Sequence, residues 1–152
     1  MGITTALCNS FKKELLQGIH TFGTDTFKLA LIKSGESGTY NATTANYSDV
    51  TGNSDEIGAT GSGNNAYSSG GHTLTSVTVT GGTSASTAYV DFADITFTNA
   101  TIDASGAIIY NASESNKAVC VIDFATTQSS DNGNFSVSFP AAGTSTAIIR
   151  VA

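Results

Sequence analysis

Between positions 7 and 19 the apolar side chains recur at about every fourth residue, as Leu7, Cys8, Phe11, Leu15 and Ile19, while Lys12, Lys13 and Gln17 point elsewhere. That spacing is the signature of an amphipathic helix. It predicts a helix over 4–18, with Thr4 or Thr5 capping its start and Gly18 supplying the left-handed stop. A helix this short is marginal in water, so its apolar stripe needs a surface to pack on. The period then changes. "FKLALI" at 27–32 reads as a first strand.

From 33 to 72 no period survives, and the stretch is polar, rich in Gly and too long for an ordinary connector. Tyr40, Tyr47, Val50, Ile57 and Tyr67 suggest that parts of it are pinned down, with one helical turn near "TTANYSD". Strand-like runs then arrive regularly: "HTLTSVTV", "TAYVDFADITFT", "GAIIYNA", "AVCVIDFA", "FSVSF" and "AIIRV". "NASESNK" and "SSDNGN" carry the turn chemistry between them. The expectation is one mainly β domain over 1–152, an antiparallel β-sandwich or flattened barrel of about 7–8 strands with one N-terminal helix. The antiparallel strands would occupy 73–151. Near-continuous runs such as "AVCVIDF" need both faces covered, and the helix is the natural lid for one of them.

Composition narrows the class. Thr, Ser, Asn and Gly together make 69 of 152 residues, which favours strands and turns over helix interiors. A hydrophobic fraction of 39% with only 12% charged residues fits a folded chain and not a disordered one. The net charge is −6, with six Lys and Arg in all, so no nucleic-acid partner is expected. Nor is a membrane expected, because no apolar stretch reaches the roughly 20 residues a spanning helix needs. Lys12 and Lys13 follow the first apolar residues instead of preceding them, so no secretion signal is expected either, and synthesis is placed in a cytoplasm. Cys8 and Cys120 read as buried thiols. The glycosylation-like triplets at Asn41, Asn46, Asn99, Asn111 and Asn134 are what this composition produces by chance.

Catalytic patterns are sparse. His20 sits just past the predicted helix end, suited to a polar contact there, and His72 borders a glycine-rich stretch. Asp91 and Asp94 lie three apart, which on a strand puts them on opposite faces. Asp49, Asn53, Asp55 and Glu56 gather oxygen atoms in a loop, but without the spacing of a calcium-binding helix-loop-helix. No phosphate loop, dinucleotide fingerprint or zinc spacing occurs. The expectation is a protein that is not an enzyme and has no cofactor, metal or catalytic residue. Its candidate partner contacts are Lys12, Lys13, Tyr40, Tyr47 and Tyr67, the tyrosines because they combine large contact area with a polar tip.

Three stretches carry a resemblance: "ITTALCNSFKKELLQGIHTFGTDTFKLALI", "VDFADITFTNATIDASGAIIYNASESNKAVCVIDF" and the closing "AIIRV". In wording and order the chain resembles a group of small virion structural proteins of tailed bacteriophages and prophages, well over 3–32 and 88–125 and poorly over 33–72. The resemblance implies a protein of the virion, and within it a decoration, or cement, protein. Such a protein bridges and stabilises major capsid subunits. Partners would be the major capsid protein or other virion proteins, with self-association, as a trimer, implied by the class. The alternatives are a tail, collar or fibre-associated component, a glycan-binding module on the virion surface, and a hydrolase using His20 and His72.

Overall fold

The computed structural model describes residues 2–82 and 85–152. In chain order its elements are β1 (Gly2–Ile3), β2 (Ala6–Leu7), α1 (Asn9–Leu16), β3 (Phe27–Lys33), β4 (Thr39–Tyr40), α2 (Ser48–Gly52) and a 3-10 turn at Gly63–Asn65. β5 (His72–Thr73), β6 (Thr78–Gly82), β7 (Ala85–Asp91), β8 (Ile95–Asn111), β9 (Lys117–Val137) and β10 (Ile149–Val151) follow. Strand outweighs helix by 48% to 11%, so the chain is mainly β, as its composition predicts.

Two antiparallel sheets hold the core. The larger runs β2-β9-β8-β3-β5 and the smaller β10-β7-β6, while β1 and β4 form a short parallel pair. The sheets do not close into a barrel, and the arrangement is sandwich-like. One apolar cluster links them, with Val90 and Ile149 from the small sheet and Phe92 just beyond it joining Phe27, Leu31, Phe97 and Ile108 from the large one. β3 lies between β8 and β5, and Phe27 and Leu29 to Ile32 are fully buried. A strand covered on both faces has no reason to alternate, which is why "FKLALI" is a continuous apolar run.

The helix is shorter than its apolar stripe. Residues 2–3 and 6–7 are drawn into strands instead: Ala6 and Leu7 pair with Val121 and Cys120, and Gly2 and Ile3 with Thr39 and Tyr40. Sheet pairing satisfies their backbone groups better than one more helical turn would. The helix therefore starts at Asn9 after Cys8, with no side-chain cap. Thr5, expected as a cap, instead accepts the Asp123 N–H through its hydroxyl at 2.9 Å. The C-terminal expectation holds. Gly18 sits at φ +70°, its N–H donates to the Leu15 carbonyl, and the Ile19 N–H to that of Glu14, which is the Schellman arrangement. α1 lies over β9 with Phe11 buried, so it does cover one sheet face.

The strand boundaries differ for a physical reason. "ITFT" and "GAIIYN" belong to the single strand β8, and "AVCVIDF" and "FSV" to β9. The "SSDNGN" stretch is not a turn: Ser130 pairs with Ile102 and Gly133 with Ala100, and Asn132, at φ +47°, lies in an irregularity between them. A second one is larger. Gly106 faces Asp123 but Ala104 faces Gln128, so residues 124–127 bulge from β9, with Ala125 at φ +64°. Bulges keep a long ribbon paired while sharpening its twist. "TAYVDFADITFT" splits at 92–94, where the chain crosses from the small sheet to the large one. Both cysteines are buried as expected, and desolvation pushes the Cys8 thiol up to about 12. No helix among the described residues is long and apolar enough to cross a membrane.

Because β3 is enclosed on every side, truncating it should be costly. Leu31→Ala is expected to lower unfolding free energy by about 3 kcal/mol in a urea titration, whereas Thr127→Ala, on the exposed bulge, should leave it within about 0.5 kcal/mol.

Candidate functional site

The long polar segment 33–72 is wired to the large sheet by two adjacent carboxylates. Asp55 is fully buried and accepts from the Tyr40 hydroxyl at 2.6 Å, the Ser37 N–H at 3.0 Å and the Gly38 N–H at 2.8 Å, with Lys33 Nζ 3.5 Å away. Desolvation opposes its ionisation, but these donors prevail and hold the carboxyl down at about 2. Glu56 accepts from the hydroxyls of Tyr47 and Tyr67 and from the Gly70 N–H. The Tyr67 hydroxyl in turn accepts the Leu31 N–H at 2.9 Å, tying the segment to β3. Tyr110 stacks on Tyr47 at 4.5 Å and donates to the Gly70 carbonyl. The helical turn expected near "TTANYSD" is α2.

This arrangement corrects two expected partner contacts, Tyr40 and Tyr67, and engages the hydroxyl of a third, Tyr47. Tyr40 and Tyr67 are each 1% exposed, and Tyr47, half-buried, has its hydroxyl committed to Glu56. They anchor the segment to its own core, because a buried phenol needs an acceptor and the loop supplies one beside each. Burial raises Tyr40 to about 12 and Tyr67 further, with the neighbouring carboxylates adding to the effect. Asp55 and Glu56 thus hold protein donors, and among the described residues no cluster of three or more metal-binding side chains forms.

His20 joins a second buried network. Its Nε2 is 2.9 Å from Glu14 and its Nδ1 3.1 Å from Asn111 Nδ2, which also donates to Asp25 at 2.8 Å. Asp25 can only accept, so the amide nitrogen of Asn111 faces both groups and Nδ1 of His20 is the acceptor there. Nε2 then carries the proton and donates to Glu14. Lys117 completes the chain at 2.9 Å from Glu14. Desolvation raises the Glu14 carboxyl, but His20 and Lys117 outweigh it and hold it below the ordinary range. The network ties the end of α1 to the β8–β9 turn, the polar contact expected of His20. His72 lines a polar hollow of about 330 Å³ with Asn65, Asp94 and Thr96. Its Nδ1 meets the Thr73 carbonyl, while Asp94 accepts the Phe139 N–H. The ion pairs of the described residues are Lys33–Asp55 and Lys117–Glu14, with His20 joined to Glu14 by a hydrogen bond, so His72 is not ion-paired with Asp94.

What the surface offers is a groove between α1 and the small sheet. Two hollows of about 290 and 330 Å³ share Leu15 and Val151. Leu16 at 91% exposure, Val79 at 62% and Val151 at 52% border them. Lys12 and Arg150 stand among the lining residues with Ala152, Lys13 is exposed beside Lys12, and among the described residues no Asp or Glu lines either hollow. β10 is an edge strand here. Lys12 and Lys13 were legible in the sequence; Leu16, Val79, Arg150 and Val151 were missed. The available signal was Leu16 lying off the helix's apolar stripe and Val79 alternating with exposed threonines. No family model, curated protein or solved structure matches the chain.

Asp55 is depressed in the folded state, so its contribution is present above its unfolded value of 3.8 and is lost as pH falls toward about 2. Asp55→Asn, which turns an amide toward N–H donors, is expected to cost about 3 kcal/mol at neutral pH. It should also flatten that acid limb in pH-dependent urea unfolding. At the other end, folding holds Tyr40 and Tyr110 above their usual 10, up to about 12 each. Their stabilising effect is present below 10 and lost as pH rises through about 12, so tyrosinate absorbance and loss of near-ultraviolet circular dichroism should rise together there.

Proposed function

We propose that the chain is a structural protein of a tailed-phage or prophage virion, made in the host bacterium. Its most specific form is a capsid decoration, or cement, protein that bridges major capsid subunits. The sequence resemblance supplies the class. The observation that carries the reading is the concentration of exposed large hydrophobics in one basic-rimmed groove, on a chain whose buried acids and phenols are tied up in its own fold. That surface is suited to protein contact.

The mechanism is mass action. A protein that binds the assembled shell and not its separated subunits shifts the equilibrium toward the shell, by an amount set by its concentration over its dissociation constant. Symmetry repeats the contact, so each one can be shallow. A tail, collar or fibre-associated component uses the same contact chemistry and differs in copy number. The glycan-binding alternative relied on tyrosine platforms, and Tyr40, Tyr67 and Tyr110 are buried.

Quantitative mass spectrometry of purified particles tests the station: decoration requires a copy number that tracks the major capsid protein, and a fixed handful of copies sends the protein to the tail. Shells lacking it should disassemble at lower temperature and recover when the purified chain is added back. Unchanged shell stability would sink the cement mechanism.

A further inference from the structure

Asn132 is followed by Gly133, and no other Asn-Gly pair occurs in the chain. The pair matters chemically. An Asn side chain and the peptide nitrogen of the next residue can close on one another, and the approach is least hindered where that residue has no Cβ. The fold decides which asparagines are free to do so. Elsewhere the amides are held: Asn46 Nδ2 donates to the Ser115 carbonyl at 2.8 Å, and Asn53 Nδ2 to the Asp49 carbonyl at 3.0 Å. Asn99 Nδ2 donates to the Ser62 hydroxyl at 2.9 Å, and Asn111 Nδ2 to Asp25 at 2.8 Å. Asn132 is exposed, at φ +47°, in an irregularity of β9. Its contact with the Thr101 hydroxyl runs from its backbone N–H, at 3.1 Å, and no hydrogen bond among the described residues holds its side-chain amide.

We infer that Asn132 is a self-modification site, at which the folded chain converts its own asparagine into isoaspartate and aspartate. The Gly133 nitrogen gives up its proton to solvent and attacks Cγ of Asn132. As that C–N bond forms, the side-chain amide C–N bond breaks, and the departing nitrogen takes up a proton and leaves as ammonia. The product is a cyclic imide, which water then opens. Cleavage at Cγ restores the original backbone with an aspartate side chain. Cleavage at the main-chain carbonyl leaves isoaspartate, whose backbone runs through the side chain and is one carbon longer. Water is the only co-reactant. β9 takes up the added carbon in a stretch already out of register with β8, as bulges take up a surplus residue. Each event also sets a new carboxylate beside the exposed Asp131, on a chain whose net charge is already −6, so the ribbon grows more acidic as the molecule ages. The inference concerns the purified chain and does not rest on the virion reading, so either can fail without the other.

Holding the folded full chain at neutral and mildly alkaline pH, then mapping its peptides by mass spectrometry, tests it. Methyl transfer by an isoaspartyl methyltransferase reads the isoaspartate independently. The expected result is modification concentrated at Asn132, with isoaspartate the larger product and a rate that rises with hydroxide concentration. Gly133→Ala should remove most of it. That variant should fold, because a Cβ there meets nothing closer than the Asp131 carbonyl oxygen at 3.7 Å. The deamidated fraction, separated by anion exchange, should keep the circular dichroism of the fresh chain. An Asn132 that stays intact in the folded chain but reacts in urea overturns the proposal, since the fold would then protect it. So does modification led by another asparagine, a rate indifferent to Gly133→Ala, or a deamidated fraction that has lost its sheet signal.

Discussion

The antiparallel pairing of β8 with β9 is the constraint on which the rest of the molecule is laid. It runs from Ile95 opposite Val137 to Asn111 opposite Lys117, with bulges absorbing the surplus residues of β9. The rest of the large sheet builds outward from these two strands, with β5 added through β3. β3 takes the free edge of β8, β2 takes that of β9, and α1 lies over β9. A ribbon of this length would twist away from its neighbours if its residues matched one for one. Positive φ at Asn99, Ala125 and Asn132 lets it bend and stay paired.

Polar groups inside the fold serve attachment. Asp55 and Glu56 gather the N–H and O–H donors of a segment that has little apolar content of its own, and Tyr67 passes the connection to the backbone of Leu31. The Lys117–Glu14–His20–Asn111–Asp25 chain does the same for the end of α1. Buried charges of this kind are costly when a partner is removed. They therefore hold their loops in one arrangement. The apolar exposure that remains is gathered in the groove.

Much of the architecture was written in local pattern. The burial of "FKLALI" and of the "AVCV" half of "AVCVIDF", the stop at Gly18, the helical turn at α2 and the mainly β class follow from periodicity, composition and backbone permissiveness, which are properties of neighbouring residues. The candidate site was less legible. Lys12 and Lys13 stood out because charge is rare here, but the tyrosines of 33–72 looked like outward anchors until their acceptors were placed beside them.

Near-neighbour physics determined, from the sequence by itself, which segments are extended, which helix has an apolar side and how the chain divides into sheet and insertion. Only the tertiary structure decided where the helix begins, because Ala6 and Leu7 face a choice between a helical turn and β9, and β9 is more than a hundred residues away. It also decided that "SSDNGN" bulges instead of turning, and that Leu16, Val79 and Val151 share one groove. Those outcomes depend on pairing and packing between distant segments, and no local pattern records that competition.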